Sequence, residues 1–199
     1  MNSIAIGRLL RSNTSGCAVG CRVSQKETPT FGQMVRISLG EGFEVYGLVH
    51  DIHIDDDGLV RQLVTAPGIS EEVIEDNRQN RNMPVEMSVV FIGWEQNGRI
   101  SQSRVPRPPL SLDEIFPCSS EEILKFVQGG RFSYFRALLR DEELPAADLL
   151  TTHLRQVLET LKDIGSSFEI EGPLREVIAL LKDDYPQLMD VLSAVSEIF

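Results

Sequence analysis

The polar and apolar positions of this chain change their period near residue 110. Before that point the apolar residues fall in short runs cut by glycine and polar turns, a pattern that predicts strands. Ile4–Leu10 reads as an opening strand, Ser12–Gly16 as a polar turn and Cys17–Val23 as a second strand. Gly32–Leu39 leads into the turn Gly40-Glu41-Gly42, and Phe43–Ile54 is the longest strand signal. Phe43, Val45, Gly47 and Val49 share one face, but beyond Val49 the apolar side switches to Ile52 and Ile54. A one-residue phase change is what a bulge produces, and Gly47 suits a tight corner. Ser70–Arg81 is polar and predicts a helical excursion or loop. Val85–Trp94 begins with alternation and becomes uniformly apolar, and Asn97-Gly98 predicts a tight hairpin returning through Arg99–Ser101. Five or six short strands with glycine corners favour a small closed barrel, because closure removes exposed edges.

After Val105-Pro106-Arg107-Pro108-Pro109-Leu110 the period becomes helical. Ser111–Glu114 and Ser119–Glu122 both carry the spacing of a capping box, and the second opens a helix stopped by Gly129-Gly130. Tyr134–Arg140 is a short helix. Ala146–Ile164 is the longest, with Leu150, Leu154, Val157, Leu158 and Leu161 forming one stripe. Gly172-Pro173 starts another, and Pro186 fits an early position of the last. The expected fold is therefore α+β: a small closed N-terminal β-barrel of five to six strands over residues 1–110, followed by an acidic all-helical region over 111–199.

Charge sharpens this division. The chain of 199 residues carries a net charge of -11. Residues 1–110 hold 11 basic and 13 acidic side chains, whereas 111–199 hold 8 and 17. The helical part is thus a poor nucleic-acid footprint, since phosphate repels it. Three cysteines in a chain of this size predict reduced thiols rather than a disulfide framework. No signal peptide and no run of about 20 apolar residues is present, so the expected location is the cytoplasm, with no membrane association.

Candidate chemistry is sparse. Asp55-Asp56-Asp57-Gly58 lacks the alternating ligands of a calcium loop and reads as a solvated turn. His50 and His53 fall on opposite strand faces unless the bulge intervenes, and His153 reads as a boundary histidine beside Leu150 and Leu154 on its helix. No Gly-x-Ser-x-Gly elbow occurs, and paired acids such as Glu71-Glu72 and Asp183-Asp184 diverge. No catalytic, metal or cofactor residue is predicted, and the chain is not expected to be an enzyme. The remaining candidates are arginines of the strand-rich part: Arg78, Arg81, Arg99, Arg104 and Arg107 as contacts for a partner or a nucleic acid.

Four segments carry a resemblance. Ile6-Gly7-Arg8, Gly32-Gln33-Met34-Val35, Val45-Tyr46-Gly47-Leu48-Val49 and Phe91-Ile92-Gly93-Trp94 occur in the order seen in the HAS-barrel. That is the N-terminal β-barrel of HerA-type DNA translocases, itself similar to the N-terminal barrels of the F-type ATP synthase α and β subunits. The resemblance covers residues 3–115, and Arg104–Leu110 resembles the exit from that barrel. It implies docking on neighbouring subunits. No Gly-x-x-x-x-Gly-Lys-Ser/Thr loop occurs in these 199 residues, and acidic helices follow where the family continues into an ATPase core. The expectation is a non-catalytic interaction module, a HAS-like barrel that docks on a HerA-type ATPase, a nuclease partner or itself in DNA processing. The alternative is a single-stranded nucleic-acid-binding small barrel.

Overall fold

A computed structural model describes residues 4–23, 29–54, 58, 61–62, 65–73, 83–163, 165 and 171–197. The described residues form seven strands: β1 (Gly7–Ser12), β2 (Gly16–Val23), β3 (Met34–Ser38), β4 (Phe43–Ile54), β5 (Met83–Gln96), β6 (Arg99–Ser101) and β7 (Glu114–Pro117). They pair in the order β2-β1-β7-β3-β4-β5, and β2 pairs again with β5, so six antiparallel strands close a barrel. β6 hangs on β5 as a hairpin. Its turn has positive φ at both Asn97 and Gly98, as the Asn-Gly pair predicts.

β4 bends where the phase change in its sequence places the irregularity. Its register against β5 shifts between Val49 and Asp51, and again between Tyr46 and Gly47. At Gly47 a Cβ would lie 2.4 Å from Val89 Cγ1 and 2.9 Å from the Val90 carbonyl, so only glycine fits.

The uniformly apolar stretches of β4 and β5 have a common cause: both faces are buried, against different partners. Phe43, Val45 and Val49 join Val85, Met87, Val89 and Phe91 inside the barrel, with Leu9, Val35, Ile37 and Ile115. Tyr46, Leu48, Val90 and Ile92 point outward, and Met34 with them, into a second core built from the helices. Those are α1 (Ser120–Gly130), α2 (Phe135–Leu139), α3 (Ala146–Asp163), α4 (Glu171–Leu181) and α5 (Tyr185–Ser196). Phe126, Phe135, Leu149, Leu154, Val177 and Val191 supply much of that core. The helical part is therefore a layer laid on the β3–β5 side of the barrel.

Two segments depart from the sequence reading. Ser111–Glu114 does not open a helix. The Ser111 hydroxyl donates to the Leu10 carbonyl, Glu114 pairs with Arg8, and β7 follows at once to fill the gap between β1 and β3. The sheet accordingly extends past residue 110, to Pro117. The proline-rich break between the two parts is fastened to the barrel: Val105 is buried in the barrel core, and the Pro109 carbonyl accepts a hydrogen bond from Ser12. By contrast the Ser119 capping box forms as predicted, with side chain and backbone bonded reciprocally to Glu122. Of the Ser70–Arg81 excursion, residues 71–73 are helical and 74–81 lie outside the described residues, as does Asp55-Asp56-Asp57.

Candidate functional site

The buried polar groups are structural. His153 on α3 is enclosed in the helical core, its Nε2 2.9 Å from the Tyr134 hydroxyl. Burial pushes its imidazole down to about 4, partly opposed by a backbone hydrogen bond at Gly32, so the ring is neutral near pH 7. Glu95 on β5 accepts from the Tyr46 hydroxyl at 3.0 Å and from Lys125 of α1 at 2.5 Å. Burial alone would raise its carboxyl, but Lys125 and Tyr46 hold it below the usual range. The Lys125 contact pins α1 to β5, and the Tyr134 contact ties α3 to the residue that precedes α2. Cys17 and Cys21 line the barrel core, where burial pushes their thiols up to about 12 and about 11. All three cysteines are unpaired thiols, and burial likewise raises Cys118. Among the described residues no group of three or more His, Cys, Asp or Glu could hold a metal ion. No helix among them is long and apolar enough to cross a membrane.

The structure separates the candidate arginines. Arg107 lies with its guanidinium 5.0 Å from the Phe43 ring centroid, and Phe43 stacks on Trp94 at 5.4 Å and 7°. Arg99 opens β6 opposite Gln96, which pairs in turn with Phe43. These two arginines thus belong to one end of the barrel. Phe43 is buried there, so its ring is packing rather than an open platform for a base. Arg104 stands apart, on a cleft between barrel and helices. Arg78 and Arg81 lie outside the described residues.

That cleft has a volume of about 880 Å³. Its barrel wall comprises Thr14 and Ser15 of the β1–β2 turn, the middle of β5, and Ser103 and Arg104 after β6. Its helical wall is formed by Arg136 and Ala137 of α2 with Ser133 before it and Arg140 just after it, while α2 buries Phe135, Leu138 and Leu139 on its other side. Asp141 and Glu143 stand where the cleft meets a second hollow of about 500 Å³ that holds His50 and Arg11. Sequence reading singled out Arg104 but missed Arg136 and Arg140. Their four-residue spacing opposite an apolar stripe marked one helix face, yet nothing in the sequence showed that this face meets the barrel.

A second feature was also missed. Among the described residues no helix packs on the β1–β7 flank of the barrel, and three leucines protrude there: Leu10, Leu110 and Leu112, 50%, 72% and 68% exposed. The loop that carries the last two is fastened to β1. Leu112 donates its amide to the Leu9 carbonyl, and the Leu112 carbonyl accepts from Arg8. Asp113 accepts the Leu110 amide at 2.7 Å.

No protein-family model matches this chain, and no curated protein matches it.

Proposed function

We propose that this chain is a non-catalytic interaction module, a HAS-like barrel that docks on a HerA-type ATPase, a nuclease partner or another copy of itself in DNA processing. The observation that carries the reading is the uncovered leucine flank. Leu112 holds a φ of 76° with its side chain in solvent, a conformation that costs about 1 kcal/mol or more for a non-glycine residue. A leucine kept both strained and exposed gains nothing for the isolated fold, whereas a rigid apolar knob contributes to binding. The barrel core is filled by side chains, so a surface rather than a lumen is the part left to act.

The test is affinity purification with the wild-type chain and with the Leu110→Asp/Leu112→Asp double variant, alongside sedimentation of each. The wild type is expected to recover an ATPase or nuclease subunit or to self-associate, and the variant to lose that association while keeping its melting temperature. Hydrolysis of ATP by the purified chain would overturn the reading. Tight binding of single-stranded DNA at physiological salt would instead favour the nucleic-acid alternative.

A further inference from the structure

The cleft between α2 and the barrel has properties that packing alone does not require. Arg104, Arg136 and Arg140 all line it, drawn from two separate segments, and none of the three forms an ion pair among the described residues. This is unexpected in a chain with 30 acidic and 19 basic side chains, where an arginine readily finds a carboxylate. Arg136 and Arg140 are also one turn apart on the same face, an arrangement that is mildly destabilising for like charges. Thr14, Ser15 and Ser103 line the same space, as does Ser133, whose hydroxyl donates to Gln102 Oε1. Guanidinium forks with neutral hydroxyl donors beside them are the chemistry that recognises a phosphate group.

The rest of the lining limits what else the ligand can be. Asp141, Glu142 and Glu143 also border the cleft, with Asp141 and Glu143 at its junction with the second hollow. They repel a long polyanion such as a nucleic-acid strand, and they accept hydrogen bonds from a donor-rich or cationic group. The volume falls within the range of pockets that enclose a small molecule.

We infer that this cleft binds a phosphorylated small molecule, its phosphate held by Arg104, Arg136 and Arg140 and its other end, bearing an amine or hydroxyl donors, directed toward Asp141 and Glu143. The site is distinct from the leucine flank and goes beyond the docking role.

Calorimetric titration of the full chain with three probes tests this: glucosamine 6-phosphate, glucose 6-phosphate and inorganic phosphate. Affinity is expected to fall in that order, with the amino sugar phosphate binding at ~1 mM or tighter. Arg136→Gln/Arg140→Gln and Arg104→Gln are expected to weaken it about tenfold or more, consistent with loss of a charge-assisted hydrogen bond. Glu143→Gln should narrow the gap between the two sugar phosphates. All these positions are exposed, and unchanged melting temperatures would exclude misfolding as the cause. Absence of binding by all three probes overturns the inference, as does binding that survives the arginine variants. Tighter binding of a single-stranded oligonucleotide than of the sugar phosphates overturns it too. Leu110→Asp/Leu112→Asp should leave this titration unchanged, so the two sites fail or succeed separately.

Discussion

His153 shows what burial does to a single titratable residue. Its imidazole is pushed down to about 4 in the folded chain, against an ordinary value of 6.5. Between those values the unfolded chain binds the proton and the folded one does not. Stability from this group is therefore complete above about pH 6.5 and is lost as pH falls toward 4. Each unit of separation is worth about 1.4 kcal/mol, so the loss is about 3 kcal/mol. Urea unfolding across pH 4 to 7 should show this slope. The His153→Gln variant, which keeps a hydrogen-bonding group beside Tyr134, should flatten it by about that amount; an unchanged slope would assign the effect to other groups. From the sequence, His153 reads as a boundary histidine beside Leu150 and Leu154, whereas the structure buries it in the helical core. Its Tyr134 partner could not be read, because Tyr134 precedes α2 while His153 lies on α3, and the two meet only when α2 packs on α3.

Elements meet closely where glycine permits it. Gly129 and Gly130 read as a helix stop, and α1 does end at Gly130, with Arg131 in the left-handed region. They also do something the sequence does not display. A Cβ on Gly130 would lie 2.3 Å from Gln102 Cδ, and one on Gly129 would lie 3.0 Å from Ile100 Cβ. Gln102 cannot simply swing aside, since it is buried and donates to the Phe126 carbonyl at 2.8 Å. Glycine to alanine in a helix ordinarily stabilises by up to about 1 kcal/mol. Here the overpacking term is larger, so Gly130→Ala should destabilise by about 1 to 3 kcal/mol. Gly129→Ala, which meets only side-chain atoms of Ile100, should do less harm. Denaturant midpoints of the two variants check the order. Most elements are visible in the periodicity: the bulged β4, the Asn97-Gly98 hairpin and the Ser119 capping box. β7 is not. Its four residues are too few to show a period, and only the unfilled place between β1 and β3 makes Glu114–Pro117 a strand.

For the whole molecule, barrel and helices are one cooperative structure in the sense that neither is complete alone. The outward side chains of Met34, Tyr46, Leu48, Val90 and Ile92 pack in one core with the helices, and β7 comes from beyond residue 110. A chain cut after Leu110 would lose a barrel strand and expose that apolar face. It is expected to give the collapsed spectrum of an unfolded or aggregating chain, with poor amide dispersion by NMR and no cooperative melt. A well-dispersed spectrum from residues 1–110 would show that the barrel closes without β7.

Local sequence carries the α+β class, five of the six barrel strands, the order of the helices and the absence of a phosphate-cradling Gly-Lys loop in these residues. Those are properties of local period, turn chemistry and short motifs, which depend on neighbours a few positions away. Tertiary structure alone decided that the proline-rich break is fastened across the barrel, that β7 completes the sheet, and that Arg104 faces Arg136 and Arg140 across a cleft. It also decided which leucines remain outside. Each of these depends on residues tens of positions apart, such as Arg8 with Leu112 or Arg104 with Arg136, and their proximity is set by the closure of the barrel and the seating of helices on it.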